Sequence, residues 1–223
     1  MIRTLFPATI ALVAALTVSL TAGGWAVVTV ESLPESVVAA TPVRLSFAVR
    51  QHGQMLVDGL QPKVVAVSGK DRIASDAQPA GQTGRYAATL TFPRAAEWVI
   101  TIDSGFGMNS RLTLLPLPVL TDAKHAATAQ TPVGRGLRLF VAKGCVTCHQ
   151  NSLGSENASL GFAPALVAGK HQDGMLASIL LKPDAVLPRR QTSEPMPNLN
   201  LQPDEVTALV AFINNVGTAI GSR

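Results

Sequence analysis

The chain has 223 residues, of which 47% are hydrophobic, 14% charged and 4% aromatic, and it carries a formal charge of +4. That hydrophobic share excludes general disorder, and the scarcity of aromatics means that its cores are built from Val, Leu, Ala and Ile. The length allows one large domain or two small ones. Lys and Arg stand singly along the chain, without the dense basic stripe that phosphate backbones select, so no nucleic-acid partner is expected.

The first segment, residues 1–24, has one early cation, Arg3, followed by an apolar run from Leu5 to Leu20. This pattern predicts an export signal and a periplasmic or other extracytoplasmic destination. Ala22 and Gly24 supply small residues for a cut, so the mature chain is expected to begin near Gly23 or Trp25. An uncut segment would instead touch the membrane as an anchor, because the run approaches the roughly 17–25 residues of a spanning helix.

Residues 25–120 alternate apolar and polar side chains in short runs: Trp25 to Val30, Val43 to Val49, Lys63 to Val67, Tyr86 to Thr91, Glu97 to Ile102 and Arg111 to Leu115. Turn residues such as Pro34, Gly53, Gly59, Gly84 and Pro93 separate them. Period-two alternation between such breaks predicts an antiparallel sandwich of the immunoglobulin-like kind. Residues 121–132, with their small polar stretch, read as a linker. From 133 to 223 the spacing turns helical, with Leu137, Phe140 and Val141 on one face and Val206, Leu209, Val210, Phe212 and Ile213 in a later amphipathic run. The expected architecture is two-domain, an all-β immunoglobulin-like sandwich followed by an all-α domain.

Within the helical part, Cys145, Val146, Thr147, Cys148 and His149 form Cys-X-X-Cys-His, the attachment pattern of c-type haem. Two thiols at this spacing can reach the two vinyl groups of one porphyrin, and the next residue can then approach the iron from the same side. A zinc site would need two more ligands, and a thioredoxin-like pair would need a βαβ setting; neither accompanies the motif. The expectation is one covalent haem c on Cys145 and Cys148, with His149 as the proximal iron ligand.

For the opposite face of the iron the candidates are Met175, Met196 and His171. Met196 lies between Pro195 and Pro197, which stiffen an extended loop, and it is the expected distal ligand. Met175 falls among Leu176, Ile179 and Leu180, where core packing is expected, and His171 reads as a helix-cap residue on the surface.

From about Pro132 to the C-terminus the chain resembles class I monohaem cytochrome c domains. The matching pieces are Gly136 and Phe140, Gly144 through His149, Ala163-Pro164-Ala165-Leu166, Met196-Pro197-Asn198-Leu199, and Leu209, Phe212 and Ile213 of the closing helix. The resemblance implies that the Pro164 carbonyl supports His149, that the last helix crosses the first near Gly136 and Phe212, and that the domain carries electrons and is not an enzyme. Phe212 stands where that family frequently has Tyr, and the arm from Leu187 to Glu194 is long.

Upstream, Gly84-Arg85-Tyr86-Ala87-Ala88, Pro93 and Glu97-Trp98-Val99-Ile100 resemble YtkA-like or FixH-like exported β-sandwich domains, which are associated with oxidase assembly and copper handling. His52, Met55 and Met108 could serve as soft copper ligands. The plainer reading, a turn histidine and two packing methionines, is favoured because copper sites need several convergent ligands. These features imply a carrier of single electrons between redox partner proteins in a respiratory chain. The alternative they imply is an accessory or copper-handling subunit of a membrane oxidase, with the sandwich as docking or metal-binding module. A peroxidase-like enzyme would need an open sixth position and an acid–base pair near the iron.

Overall fold

The computed structural model describes residues 24–107, 110–124, 130–149, 157, 159–166, 172–187 and 194–216. Strands come first: β1 (Ala26–Val30), β2 (Val37–Val38), β3 (Pro42–Gln51), β4 (Met55–Leu56), β5 (Lys63–Ser68), β6 (Asp71–Asp76), β7 (Gln78–Pro79), β8 (Arg85–Thr91), β9 (Ala96–Asp103), β10 (Arg111–Thr113) and β11 (Leu117–Leu120). One sheet runs β1-β3-β8-β7 with β4 on β3, and the other runs β2-β11-β9-β5-β6 with β10 on β9. The two sheets share a core in which Phe47, Tyr86 and Leu90 of the first meet Trp98, Ile100 and Ile102 of the second.

Alternation builds this core. In β9 Trp98, Ile100 and Ile102 are buried while Glu97 and Val99 are exposed, as a pleated strand with one covered face requires. Tyr86 keeps its buried hydroxyl satisfied by donating to the Val57 carbonyl at 2.8 Å and accepting from the Leu60 amide at 3.2 Å. The alternating runs read from the sequence coincide with β1, β3, β5, β8, β9 and β10, their ends shifted by two residues at most. The longer strands that the pattern missed are β6, whose inner face holds little more than Ile73, and β11, which carries Pro118.

β1 is buried at every position. Ala26, Val28 and Val30 belong to the shared sheet core, and the other face of the strand meets the helical segment: Thr29 Oγ1 donates to the Lys143 carbonyl at 3.3 Å.

The helical segment comprises α1 (Pro132–Ala142), a single 3₁₀ turn (Cys145–Thr147), α2 (Asp173–Leu181), α3 (Pro183–Val186) and α4 (Pro203–Asn214). Thr131 caps α1 by accepting from the Gly134 amide at 3.1 Å, with Pro132 in the first turn where its missing N–H costs nothing. α4 opens on a capping box between Gln202 and Glu205. α1 and α4 cross at Gly136, where an added Cβ would lie 2.6 Å from Phe212 Cβ, so the crossing requires glycine. Phe140 and Phe212 meet beside it with ring centroids 5.3 Å apart. This is the crossing that the resemblance implied.

Lys143, just past α1, ties the parts together. Its ammonium donates to the Glu31 carbonyl at 3.0 Å and pairs with Glu205 at 2.8 Å, the two side chains being only 7% and 13% exposed. Among the described residues no helix is long and apolar enough to cross a membrane. The predicted export segment lies outside the described residues, apart from Gly24.

Candidate haem-binding site

α1 ends where Gly144 takes a left-handed φ of +78°, which turns the chain into the 3₁₀ turn Cys145–Thr147. Side chains three apart eclipse in a 3₁₀ turn, so Cys145 and Cys148 project to one side. The Cys148 and His149 amides both donate to the Cys145 carbonyl, at 3.2 and 3.0 Å, and bring the imidazole onto the same short unit.

A second stretch then fixes that imidazole. His149 forms a parallel bridge with Ala163, whose amide donates to the Cys148 carbonyl at 3.0 Å. His149 Nδ1 lies 2.9 Å from the Pro164 carbonyl oxygen. A carbonyl only accepts, so Nδ1 carries the hydrogen and Nε2 carries the lone pair that can coordinate a metal. Burial lowers the His149 pKa, which favours the neutral ring, and the hydrogen bond to Pro164 counters part of that. Burial, with a smaller contribution from Cys148, pushes the Cys145 thiol up to about 12. Burial first and Glu194 second push Cys148 up to about 11.

These groups open onto a cavity of about 940 Å³ whose lining also includes Met196, Phe162, Leu187 and Leu199. Ligand pockets span roughly 300–1,000 Å³, so this one has room for a large flat cofactor. Met196 is half-buried and packs against the core from a loop without regular structure. Two thiols, an imidazole oriented through its far nitrogen and a thioether thus line one largely apolar space. That donor set fits a covalently held haem, with an imidazole nitrogen and a soft thioether sulfur available to its iron.

Several residues behave differently from expectation. Met175 is 56% exposed; α2 buries Leu176 and Leu180 instead, so Met175 does not pack in the core. Met55 is 62% exposed on β4, which pairs only with β3 at the sheet margin, so it is not a packing methionine either. His52 does sit in a turn, with φ +51°, and its side chain lines the same cavity as His149 and Met196. Met108 and His171 lie outside the described residues. Among the described residues no three His, Cys, Asp or Glu side chains converge on a metal position.

The sequence pattern did not single out Trp25, Val27, Gly53 and Gln54 as cavity lining, although all four contribute to it. The available signal was the largely apolar stretch of β1, in which only Thr29 is polar, since a strand buried along its whole length has both faces covered.

Residues 133–217 match the family model described as Cytochrome c. This segment is a cytochrome c domain. The match takes in less than half of the chain, and the strand-rich part stands outside it. A haem-bearing electron carrier is what such a domain constitutes. No curated protein matches the chain. Among solved structures, a Bacteroides vulgatus protein provisionally named a glycoside hydrolase is similar at 19% identity and a TM-score of 0.33, over 41% of this chain and 17% of that one. A conjugative transposon lipoprotein from Bacteroides eggerthii is similar at 13% identity and a TM-score of 0.25, over 41% of this chain and 95% of that one. At such TM-scores neither likeness bears on fold or function.

Proposed function

We propose that the chain is an exported, periplasmic c-type cytochrome that passes single electrons between respiratory redox proteins on one covalently attached haem. Cys145 and Cys148 would hold the porphyrin through thioethers to its two vinyl groups, and His149 Nε2 and the Met196 sulfur would be the side-chain donors to its iron. The bound haem supplies a one-electron Fe(III)/Fe(II) couple.

The protein's own part follows from the surroundings of these residues. Pro164 holds His149 in the coordinating tautomer, and the hydrogen bond that its carbonyl accepts raises the basicity of the other ring nitrogen. The apolar walls keep water from the iron, and the soft thioether favours the reduced state and a higher potential. Were His149 and Met196 both bound to the iron, no position would be left there for a substrate, which is the reason to read a carrier.

The observation that carries this reading is the meeting of Cys145, Cys148, His149 and Met196 around one cavity. Met196→Ala tests it. The variant is expected to turn high-spin, to lose the weak red absorption band of a methionine–iron bond, and to fall in potential by on the order of 100 mV or more. An unchanged spectrum and potential would remove Met196 from the iron.

A further inference from the structure

The cavity of the cytochrome c domain has a wall that the domain does not supply. His52, Gly53 and Gln54 form the three-residue tip of the β3–β4 hairpin, between the paired residues Gln51 and Met55, and all three line the cavity. The tip is anchored behind, because the His52 amide donates to the Trp25 carbonyl at 3.1 Å and the His52 and Trp25 rings lie 5.5 Å apart. In front it reaches the loop that carries Met196. Gln54 Nε2 donates to the Pro195 carbonyl at 2.7 Å, which is the peptide unit leading into Met196. Gly53, at φ +71°, faces the residue on the other side: an added Cβ there would make ordinary van der Waals contact with Pro197 Cγ and Val27 Cγ2, each at 3.7 Å.

The Met196 loop has no helix or strand to hold it, and its flanking prolines lack the N–H groups that could. Its position therefore depends on contacts with the rest of the molecule. Resting on the His149/Met196 reading above, we propose that the His52–Gln54 hairpin tip is a positioning element for the axial methionine, holding the Pro195–Pro197 loop closed over the cavity so that Met196 stays on the iron. The strand-rich segment is on this account part of the haem crevice. Loss of the Gln54 hydrogen bond frees the loop, and a small ligand then competes for the iron more successfully.

The test uses the full haem-loaded ferric protein and imidazole as the competing ligand, with the red absorption band as a second readout. Gln54→Leu and Gln54→Glu remove the donor at an exposed position, and Gln54→Lys retains one. Leu and Glu are expected to raise imidazole affinity roughly two- to tenfold, the factor one hydrogen bond is worth, and to weaken the red band, while Lys stays close to the unsubstituted protein. On a Met196→Ala background the Gln54 substitutions are expected to change nothing further. Unaltered imidazole affinity in Gln54→Leu and Gln54→Glu would overturn the proposal. So would an effect that persists without Met196, which would make the tip a mere plug over the cavity. Absence of the red band from the unsubstituted protein would instead overturn the ligation reading, and the positioning role with it.

Discussion

Gly144 meets two demands at once. Its φ of +78° favours a residue without a side chain, and a Cβ at this position would come within 2.5 Å of the Val28 carbonyl oxygen and 2.6 Å of Val27 Cγ1. The residue that turns α1 into the haem motif is thus also the point of closest approach to β1. Gly144→Ala is expected to cost about 2–4 kcal/mol, the sum of a left-handed alanine and an overpacked contact, read as a shift in urea midpoint at constant slope. A shift within experimental error would mean that the two segments move apart freely. Lys143, next to it, is held by distant partners. Its partners Glu31 and Glu205 lie far away along the chain, and no local pattern marks the lysine as buried. The haem motif was legible because its chemistry is confined to a few consecutive residues, whereas Lys143 and Gln54 gain their roles from contacts with residues far away in the sequence, Glu31 and Pro195 among them.

Among the elements, α4 shows how local rules and packing divide the work. Gln202, Pro203, Asp204 and Glu205 give it a capped and acidic start, and Val206, Leu209, Phe212 and Ile213 give it a buried face. These features are periodic and were readable. The same holds for the strands with Val, Leu and aromatic residues on their inner side, but not for β6 and β11, where a thin apolar face or a proline hides the strand until its neighbours pair with it. Asp204 adds a pH dependence. Its hydrogen bond from Arg135, which sits on α1, holds the carboxyl below the usual carboxylate range. A folded-state value below the unfolded one means that the pair stabilises above the ordinary carboxylate range and that this contribution is lost as pH falls through the lowered value. Because Asp204 is fully exposed the effect is small. Arg135→Ala is expected to flatten the acid side of a plot of urea midpoint against pH, and an acid limb identical to that of the unsubstituted protein would contradict the assignment.

At the scale of the whole molecule, the strands and the helices are not beads on a tether. The apolar core runs from Trp98 and Phe47 between the sheets, through β1, to Val141 and Phe212 of the cytochrome c domain. Asn157 adds a two-way hydrogen bond with the backbone of Thr113, at 2.9 and 2.7 Å, and Arg138 donates to the Pro116 carbonyl at 2.6 Å. An interface of this kind couples the two parts in unfolding. Fluorescence of Trp98, deep between the sheets, and haem absorbance are expected to report one coincident urea transition; two separated transitions would show that the segments fold independently. The sequence marked the change from period two to helical spacing but gave no sign that the two parts share a core, because each pattern records only which side chains are apolar and not which surface covers them.

We propose covalent attachment of one haem to Cys145 and Cys148, in the cavity between the cytochrome c domain and the hairpin tip. Its most direct test is the intact mass of the full chain, produced with a haem-attachment system, washed with acid acetone and treated with a thiol alkylator. The account predicts a chain heavier by one haem with neither cysteine alkylated, and loss of that added mass in Cys145→Ala/Cys148→Ala. A chain of unmodified mass that takes up two alkyl groups would contradict it.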